Sequence, residues 1–257
     1  MAMDCLLIDV GNSSIKWAVG DSCQPLTALD VQRCPRRSHQ ATADESDAQV
    51  LLNDLDLHNI SVLPVWVSSV AGQPFDSQLI HCFQAAGWPS VMIESAKGCE
   101  HDVVNSYAQP QSMGVDRWLA MVAARYGRSG PLLVIDAGTA LTIDVVAADG
   151  CHQGGYILPG VQLMEEALIR ETGRVRFSDT ALLSTEPGQS TAQCVTSGLW
   201  IAAFGAVSLV ANRHPDHRIV LTGGGGEALL AVGVRGEWRP HLVLEGLAIR
   251  ASVVFEG

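Results

Sequence analysis

Lysine is nearly missing from this 257-residue chain: Lys16 and Lys97 are the only two, against fourteen arginines in a Lys+Arg total of 16. With 27 acidic residues the formal charge is -11. That balance excludes a general nucleic-acid binder, because affinity for a phosphate backbone is built on Lys and Arg. Any phosphate held here is held locally. The seven cysteines (Cys5, Cys23, Cys34, Cys82, Cys99, Cys151 and Cys194) are odd in number, scattered and without a Cys-x-x-Cys. Neither a disulfide framework nor zinc is expected, and Cys99 near His101 and Cys151 beside His152 are read as ordinary reduced cysteines. No apolar run approaches the roughly 20 residues of a bilayer span, and the first residues lead into a strand with no cationic region or cleavage site. The expectation is a soluble cytoplasmic protein without a membrane partner.

What the chain does have is a hydrophobic content of 47% with 17% charged residues and a mean hydropathy of +0.20, which suits a globular protein with well-buried strands or a subunit interface. It also carries one device written twice. Leu6-Leu-Ile-Asp-Val-Gly-Asn-Ser-Ser-Ile-Lys16 and Leu133-Val-Ile-Asp-Ala-Gly-Thr-Ala-Leu-Thr-Ile143 are each an apolar run ending in Asp-x-Gly, with Asp9 and Asp136 127 residues apart. A strand delivers a carboxylate, and a glycine then turns the backbone so that its N–H groups can approach an anion. Two copies in two halves point to a duplicated fold, divided here as residues 1–112 and 113–257, with the two loops expected to face each other as a phosphate clamp.

The remaining pattern is mixed α/β. Strands are expected at 4–10, Ile15–Val19, Val62–Val70 and Val91–Ile93, with helices at Ala48–Leu57 and Phe75–Ala86. A surface connection is expected from Arg33 to Ser46, with Arg36-Arg37 a solvated pair. In the second half a helix runs Asp116–Arg125. Strands follow at Leu132–Ile135, Leu141–Val146, Gly155–Leu158 and Arg218–Leu221, with helices at Val161–Arg170 and Leu199–Asn212 and a helix start at Glu227–Val232.

Asp9 is placed to hold Mg²⁺ directly or through water, since that ion takes one or two hard oxygens and keeps several waters. Asn12, Ser13 and Ser14 offer small polar groups and N–H donors, and Lys16 can reach a triphosphate. Thr139 and Thr142 supply hydroxyls beside Asp136, with Thr139 the candidate for the γ-phosphate. Asp144, at the end of the following strand, is equally a structural acid. Gly223 to Gly226 follow a strand and precede a helix, where bare backbone can lie against a nucleotide. In Gly114-Val-Asp-Arg117, Asp116 is either a helix N-terminal acid favoured by the dipole or a base for an attacking hydroxyl, with Arg117 gripping an anion. Spacing alone does not separate the two.

Assembled in order, Asp9-x-Gly-Asn-Ser, Gly114-x-Asp-Arg117, Asp136-x-Gly-Thr-Ala140, Gly154-Gly-x-Ile-x-Pro-Gly160 and Thr222-Gly-Gly224 resemble the type III pantothenate kinases, of the acetate and sugar kinase, heat-shock protein and actin superfamily. The resemblance implies a duplicated ribonuclease-H-like (actin-like ATPase) α/β fold, two mixed-sheet halves flanked by helices with an inter-domain cleft. It implies ATP-dependent phosphorylation of pantothenate, the first step towards coenzyme A, with Mg²⁺ and a monovalent cation. By motif, Asp9, Val10, Gly11, Asn12, Ser13, Ser14, Ile15, Lys16, Thr139, Gly223 and Gly224 face ATP. Asp116 is the general base. Tyr107, Gly114, Val115, Asp116, Arg117 and Thr191 line the substrate site, and Asp136 matches the position of K⁺ or NH₄⁺. A homodimer is also implied, with the apolar helix Leu199–Val210 and the exposed-looking Trp118 and Trp200 consistent with its interface. The competing reading is a nucleotide-binding accessory protein on the same fold without kinase activity.

Overall fold

The computed structural model describes residues 4–20, 30–36, 47–88, 90–173, 175 and 182–256. In chain order its elements are β1 (Cys5–Val10), β2 (Ser14–Gly20), β3 (Gln32–Pro35), α1 (Asp47–Leu57), β4 (Val65–Ser69), α2 (Gln73–Ala85), β5 (Val91–Ile93), β6 (Cys99–Glu100) and β7 (Val103–Val104). There follow α3 (Val115–Arg125), β8 (Leu132–Ala137), β9 (Ala140–Val146), β10 (His152–Pro159), α4 (Val161–Glu171), α5 (Thr191–Arg213), β11 (Arg218–Thr222), α6 (Gly226–Ala231), β12 (Glu237–Trp238) and α7 (Leu242–Glu256).

The two five-stranded sheets repeat one topology. The first has the order β3-β2-β1-β4-β5 and the second β10-β9-β8-β11-β12. In each, the first strand is central, two strands joined by successive antiparallel pairings lie on one side of it and two strands joined by parallel pairings on the other. The doubled Asp-x-Gly thus marks a doubled fold. Asp9 pairs in register with Lys16 on β2 and Ser68 on β4, while Asp136 pairs with Thr142 on β9 and Thr222 on β11. Lys16 and Thr142 are therefore equivalent positions, as are Ser68 and Thr222.

Two compact units form. The first comprises Met1–Gly98, Tyr107–Ala123 and His241–Gly257, the second Cys99–Ser106 and Ala124–Pro240. This partition differs from the division at 112/113, because segments are exchanged. The short hairpin β6–β7 leaves the first half and bridges to the second unit at Val104 and Cys151, with the Val104 N–H donating to the Gly150 carbonyl at 3.0 Å. The C-terminal helix α7 returns to the first unit, where Val243, Leu244, Leu247 and Ala251 pack on Cys5, Leu7, Ala18 and Trp66.

Alternation along β1 decides which face each residue serves. Leu6, Ile8 and Val10 join α1 and α2 in one core, and Cys5 and Leu7 join α3 and α7 in the other. Asp9 continues the second set, so its carboxylate stands on the face that carries α3 and α7. In the second unit, Leu133, Ile135, Leu141, Ile143 and Val145 pack against Ala203, Val207 and Val210 of α5 and Leu229 of α6.

Several expectations are corrected. Trp118 is fully buried rather than exposed, within a helix closed off along most of its length from Val115 to Arg125; Trp200 is half-buried. Asp144 is in the body of β9, not at its end, and is buried against His152, whose Nε2 lies 3.0 Å from Asp144 Oδ1 while its Nδ1 lies 2.9 Å from Ser106 Oγ. That buried pairing fits the structural reading of this acid. His152 is thereby engaged away from Cys151, and among the described residues no group of three or more His, Cys, Asp or Glu gathers as a metal site. Helix α5 begins eight residues before the expected Leu199, at Thr191, and at 23 residues with a window hydropathy of 1.8 it is long and apolar enough to cross a membrane by length and composition. Its small residues broke the apolar run that a sequence reading looks for, and its inner face belongs to the second unit's core. Arg37, Cys23 and most of the expected connection between Arg33 and Ser46 lie outside the described residues.

Candidate active site

On the first unit, β1 and β2 meet at a tight turn where the Gly11 N–H donates to the Ser14 carbonyl at 3.0 Å, leaving Asn12 and Ser13 exposed at the tip. Behind it, Asp9 is 9% exposed. Burial pushes its carboxyl up from the ordinary value of 3.8 to about 6, the positive charge of Lys16 and the Ser68 hydroxyl pull it down, and the negative charge of Asp116 pushes it further up. Four residues from four elements are thus electrostatically one cluster. His241, which opens α7, belongs to its edge: burial first and the Lys16 charge second lower its pKa.

Asp116 sits in the first turn of α3, its Oδ1 accepting the Arg117 N–H at 2.8 Å. A Cβ on Gly114 would overlap that same Oδ1, which explains the glycine two positions earlier. Both roles left open by the sequence are compatible with this: the carboxylate caps its helix through one oxygen and faces Asp9 electrostatically. Arg117 is buried, donates from Nη1 to the Tyr107 hydroxyl at 3.0 Å and lies 5.9 Å from that ring's centroid. The structure therefore brings Asp9, Lys16 and Asp116 together and joins Tyr107 to Arg117.

On the second unit, two glycine segments close on the Asp136 loop. Gly160 donates its N–H to the Thr139 carbonyl at 2.8 Å, and a Cβ there would overlap the carbonyl oxygens of Gly138 and Thr139. Gly225 donates to the Ala137 carbonyl at 2.8 Å. Gly223, at φ +83°, is where a side chain would strike both Asp136 Oδ1 and Ala137. Gly154, at φ +111°, sits at the bulge that re-aims β10 before Pro159-Gly160. Asp136, Thr139, Gly223 and Gly224 are accordingly one locality. Thr191 is elsewhere on this unit, at the start of α5 behind its N-cap Ser190, lining a cavity of about 870 Å³ with Leu168, Gly188, Cys194 and Leu199.

Sequence reasoning missed Ser68 and Arg36. Ser68 lies near the end of the strand expected at Val62–Val70, and its place beside Asp9 follows once β4 is paired parallel to β1. Arg36 was read as surface. Its Nη1 donates to the Gly11 carbonyl at 2.7 Å and its Nε to Asp47 Oδ2 at 3.2 Å, and nothing in the local pattern announces either contact.

A twice-repeated sheet, each copy ending its central strand in a carboxylate and a glycine turn, defines the actin-like ATPase and sugar kinase fold. In agreement, the fold superposes on MreB 5 of Spiroplasma citri bound to AMPPNP, with a TM-score of 0.55 at 12% identity over 100% of this chain and 98% of that one. The chain belongs to the type III pantothenate kinase family, whose model matches residues 5–213. It is 36% identical over 248 residues to the type III pantothenate kinase of Thiobacillus denitrificans, covering 94% of each chain. To that of Pseudomonas aeruginosa it is 35% identical over 260 residues, covering 96% of this chain and 99% of the relative.

Proposed function

We propose that this chain phosphorylates the primary hydroxyl of pantothenate with ATP, giving 4'-phosphopantothenate and ADP, with Asp116 as the general base. The observation that carries the assignment is the cluster of Asp9, Lys16 and Asp116 on one face of the first unit, with the bonded pair Arg117 and Tyr107 following in the same helix and the segment before it. In the transfer, the hydroxyl oxygen bonds to the γ-phosphorus, the bond to the β-phosphate bridging oxygen breaks, and the hydroxyl proton passes to Asp116. In a loose phosphoryl transition state this carboxylate orients the hydroxyl and takes its proton late.

The backbone N–H groups after Gly11 and the Lys16 ammonium bind phosphate oxygens on the first unit, and on the second Thr139, Gly223 and Gly224 meet the nucleotide. The donor set fits Mg²⁺ at Asp9: a buried carboxylate whose charge is poorly compensated, with no cage of acidic, His or Cys ligands among the described residues, suits an ion that shares its shell with water and phosphate. Bound there, the ion neutralises charge on the transferring phosphates. Asp136 would hold K⁺ or NH₄⁺, beside the bare backbone of Gly223, where a Cβ would strike its Oδ1. Gly114 and Val115 place Asp116 and Arg117 for pantothenate, and Arg117 grips its carboxylate. Arg117→Ala raises the pantothenate KM at least about tenfold, a lost charge-assisted bond, with the ATP KM nearly unchanged. Steady-state kinetics with each substrate varied checks this; an effect confined to ATP would refute it.

The protein works as a cytoplasmic homodimer. Helix α5 leaves Ile201 and Leu209 each 54% exposed, and α4 leaves Leu163 exposed and Leu168 exposed in the lining of the Thr191 cavity, apolar surface suited to a second copy. Sedimentation equilibrium is expected to give twice the 27.3 kDa chain mass, and a monomer at micromolar concentration would contradict the dimer.

A further inference from the structure

We infer that Arg36 is a positioning residue for the nucleotide, a strut that sets the direction of the backbone N–H groups in the Gly11–Ser14 turn. The inference rests on the reading of that turn as a phosphate loop. Four contacts converge on this one residue. Its backbone N–H donates to the Ser13 carbonyl at 3.1 Å, continuing the β2–β3 ladder past Pro35. Its Nη1 donates to the Gly11 carbonyl at 2.7 Å. Its Nε donates to Asp47 Oδ2 at 3.2 Å, at the start of α1, and its guanidinium lies 4.9 Å from the centroid of the Phe75 ring on α2. The side chain is only 9% exposed.

The geometry has a direct consequence for the turn. A trans peptide carries its N–H opposite its C=O. With the Gly11 and Ser13 carbonyls both taken up by Arg36, the N–H groups of the following residues, Asn12 and Ser14, are directed away from it. A backbone tip that presents N–H groups while its carbonyls are turned back and neutralised is what an anion requires, since a carbonyl on the same side would repel a phosphate oxygen. The planar fork matters here, because one guanidinium spans the Gly11 carbonyl and the Asp47 carboxylate while stacking on a ring, and an ammonium has no such geometry. Asp47 and Phe75 fix the fork, and the fork fixes the loop.

The test is isothermal titration with MgATP, alongside kinetics with both substrates, on the full-length wild type, Arg36→Ala, Arg36→Lys and Asp47→Asn. Arg36→Ala is expected to weaken MgATP binding and raise its KM at least tenfold, with the pantothenate KM changed less than twofold. Arg36→Lys is expected to lose at least fivefold in the same direction, and it decides the matter if Arg36→Ala does not give folded protein by circular dichroism. Asp47→Asn, whose amide oxygen can still accept the Nε bond and so keeps the fork on Gly11, is expected to lose no more than threefold. Folded Arg36 variants that bind MgATP within twofold of wild type would overturn the strut alone, as would parallel rises in both KM values, the mark of general structural damage. A wild-type protein that does not bind MgATP would overturn the phosphate-loop reading and the strut with it.

Discussion

Replacing Asp116 with asparagine is expected to lower kcat by about 10² to 10³-fold, the range for loss of a positioned general base, while MgATP affinity stays within a few-fold. The substitution is clean because of where the carboxylate sits. Asp116 Oδ1 accepts the Arg117 N–H in the first turn of α3, and an asparagine carbonyl oxygen can accept the same bond. Gly114 leaves room for either side chain. The helix start, the Arg117–Tyr107 contact and the fold are therefore retained, while the capacity to accept a proton and the negative charge facing Asp9 are lost. A helix-capping role would leave turnover near wild type in this variant. Rapid-quench measurement of the first turnover separates the chemical step from product release, and a normal burst rate would remove Asp116 from the base role.

The second large effect runs in opposite directions for stability and activity. Asp9→Asn is expected to raise the melting temperature of the ligand-free protein at pH 8 by roughly 5 °C while reducing kcat/KM for ATP by about 10²-fold or more. The folded chain raises the Asp9 carboxyl from 3.8 to about 6, chiefly by burial. The folded state therefore holds this proton more tightly than the unfolded state does. Stability from this group is greatest below pH 4, falls as the pH rises towards 6 and stays at its lower level above that, a difference of roughly 3 kcal/mol. Asparagine carries no charge to desolvate, so its advantage over aspartate grows across the same interval and vanishes at pH 4. Differential scanning calorimetry of both proteins from pH 4 to 8 reads this directly. Equal melting temperatures at pH 8 would mean that Asp9 is not a strained buried carboxylate. The strain has a use, because a poorly compensated carboxylate is what a divalent cation and a triphosphate can stabilise on binding.

Asp9 and Lys16 were legible because the signals are local, whereas Asp116 was legible only as a helix-start acid whose role spacing leaves open. An apolar run ending in Asp-x-Gly is a strand reaching a turn, and the short turn itself places Lys16 across from Asp9. The duplication was legible for the same reason, and the repeated strand order bears it out. Arg36 was not, since its contacts to Gly11 and Phe75 depend on chain reversal and on packing of two helices. Helix α7 was missed because Leu242-Val-Leu-Glu-Gly-Leu-Ala-Ile is apolar on most of its circumference and shows no clean period. The early start of α5 had a signal that went unused: Ser190-Thr-Ala-Gln193 has capping-box spacing, and Ser190 Oγ accepts the Gln193 N–H. Trp118 was misjudged because a helix pattern read by itself cannot tell how many of its faces the rest of the chain will cover. The exchange of segments between units was invisible for a related reason: β6 and β7 are two residues each, below any periodicity.

The central claim is tested most directly by ADP release from purified protein with ATP and Mg²⁺, with and without pantothenate, in K⁺ and then in Na⁺ buffer. Turnover that requires pantothenate, and that falls when Na⁺ replaces K⁺, is the predicted result. ADP release that is indifferent to pantothenate would contradict the substrate assignment, and absence of both turnover and ATP binding would contradict the kinase itself.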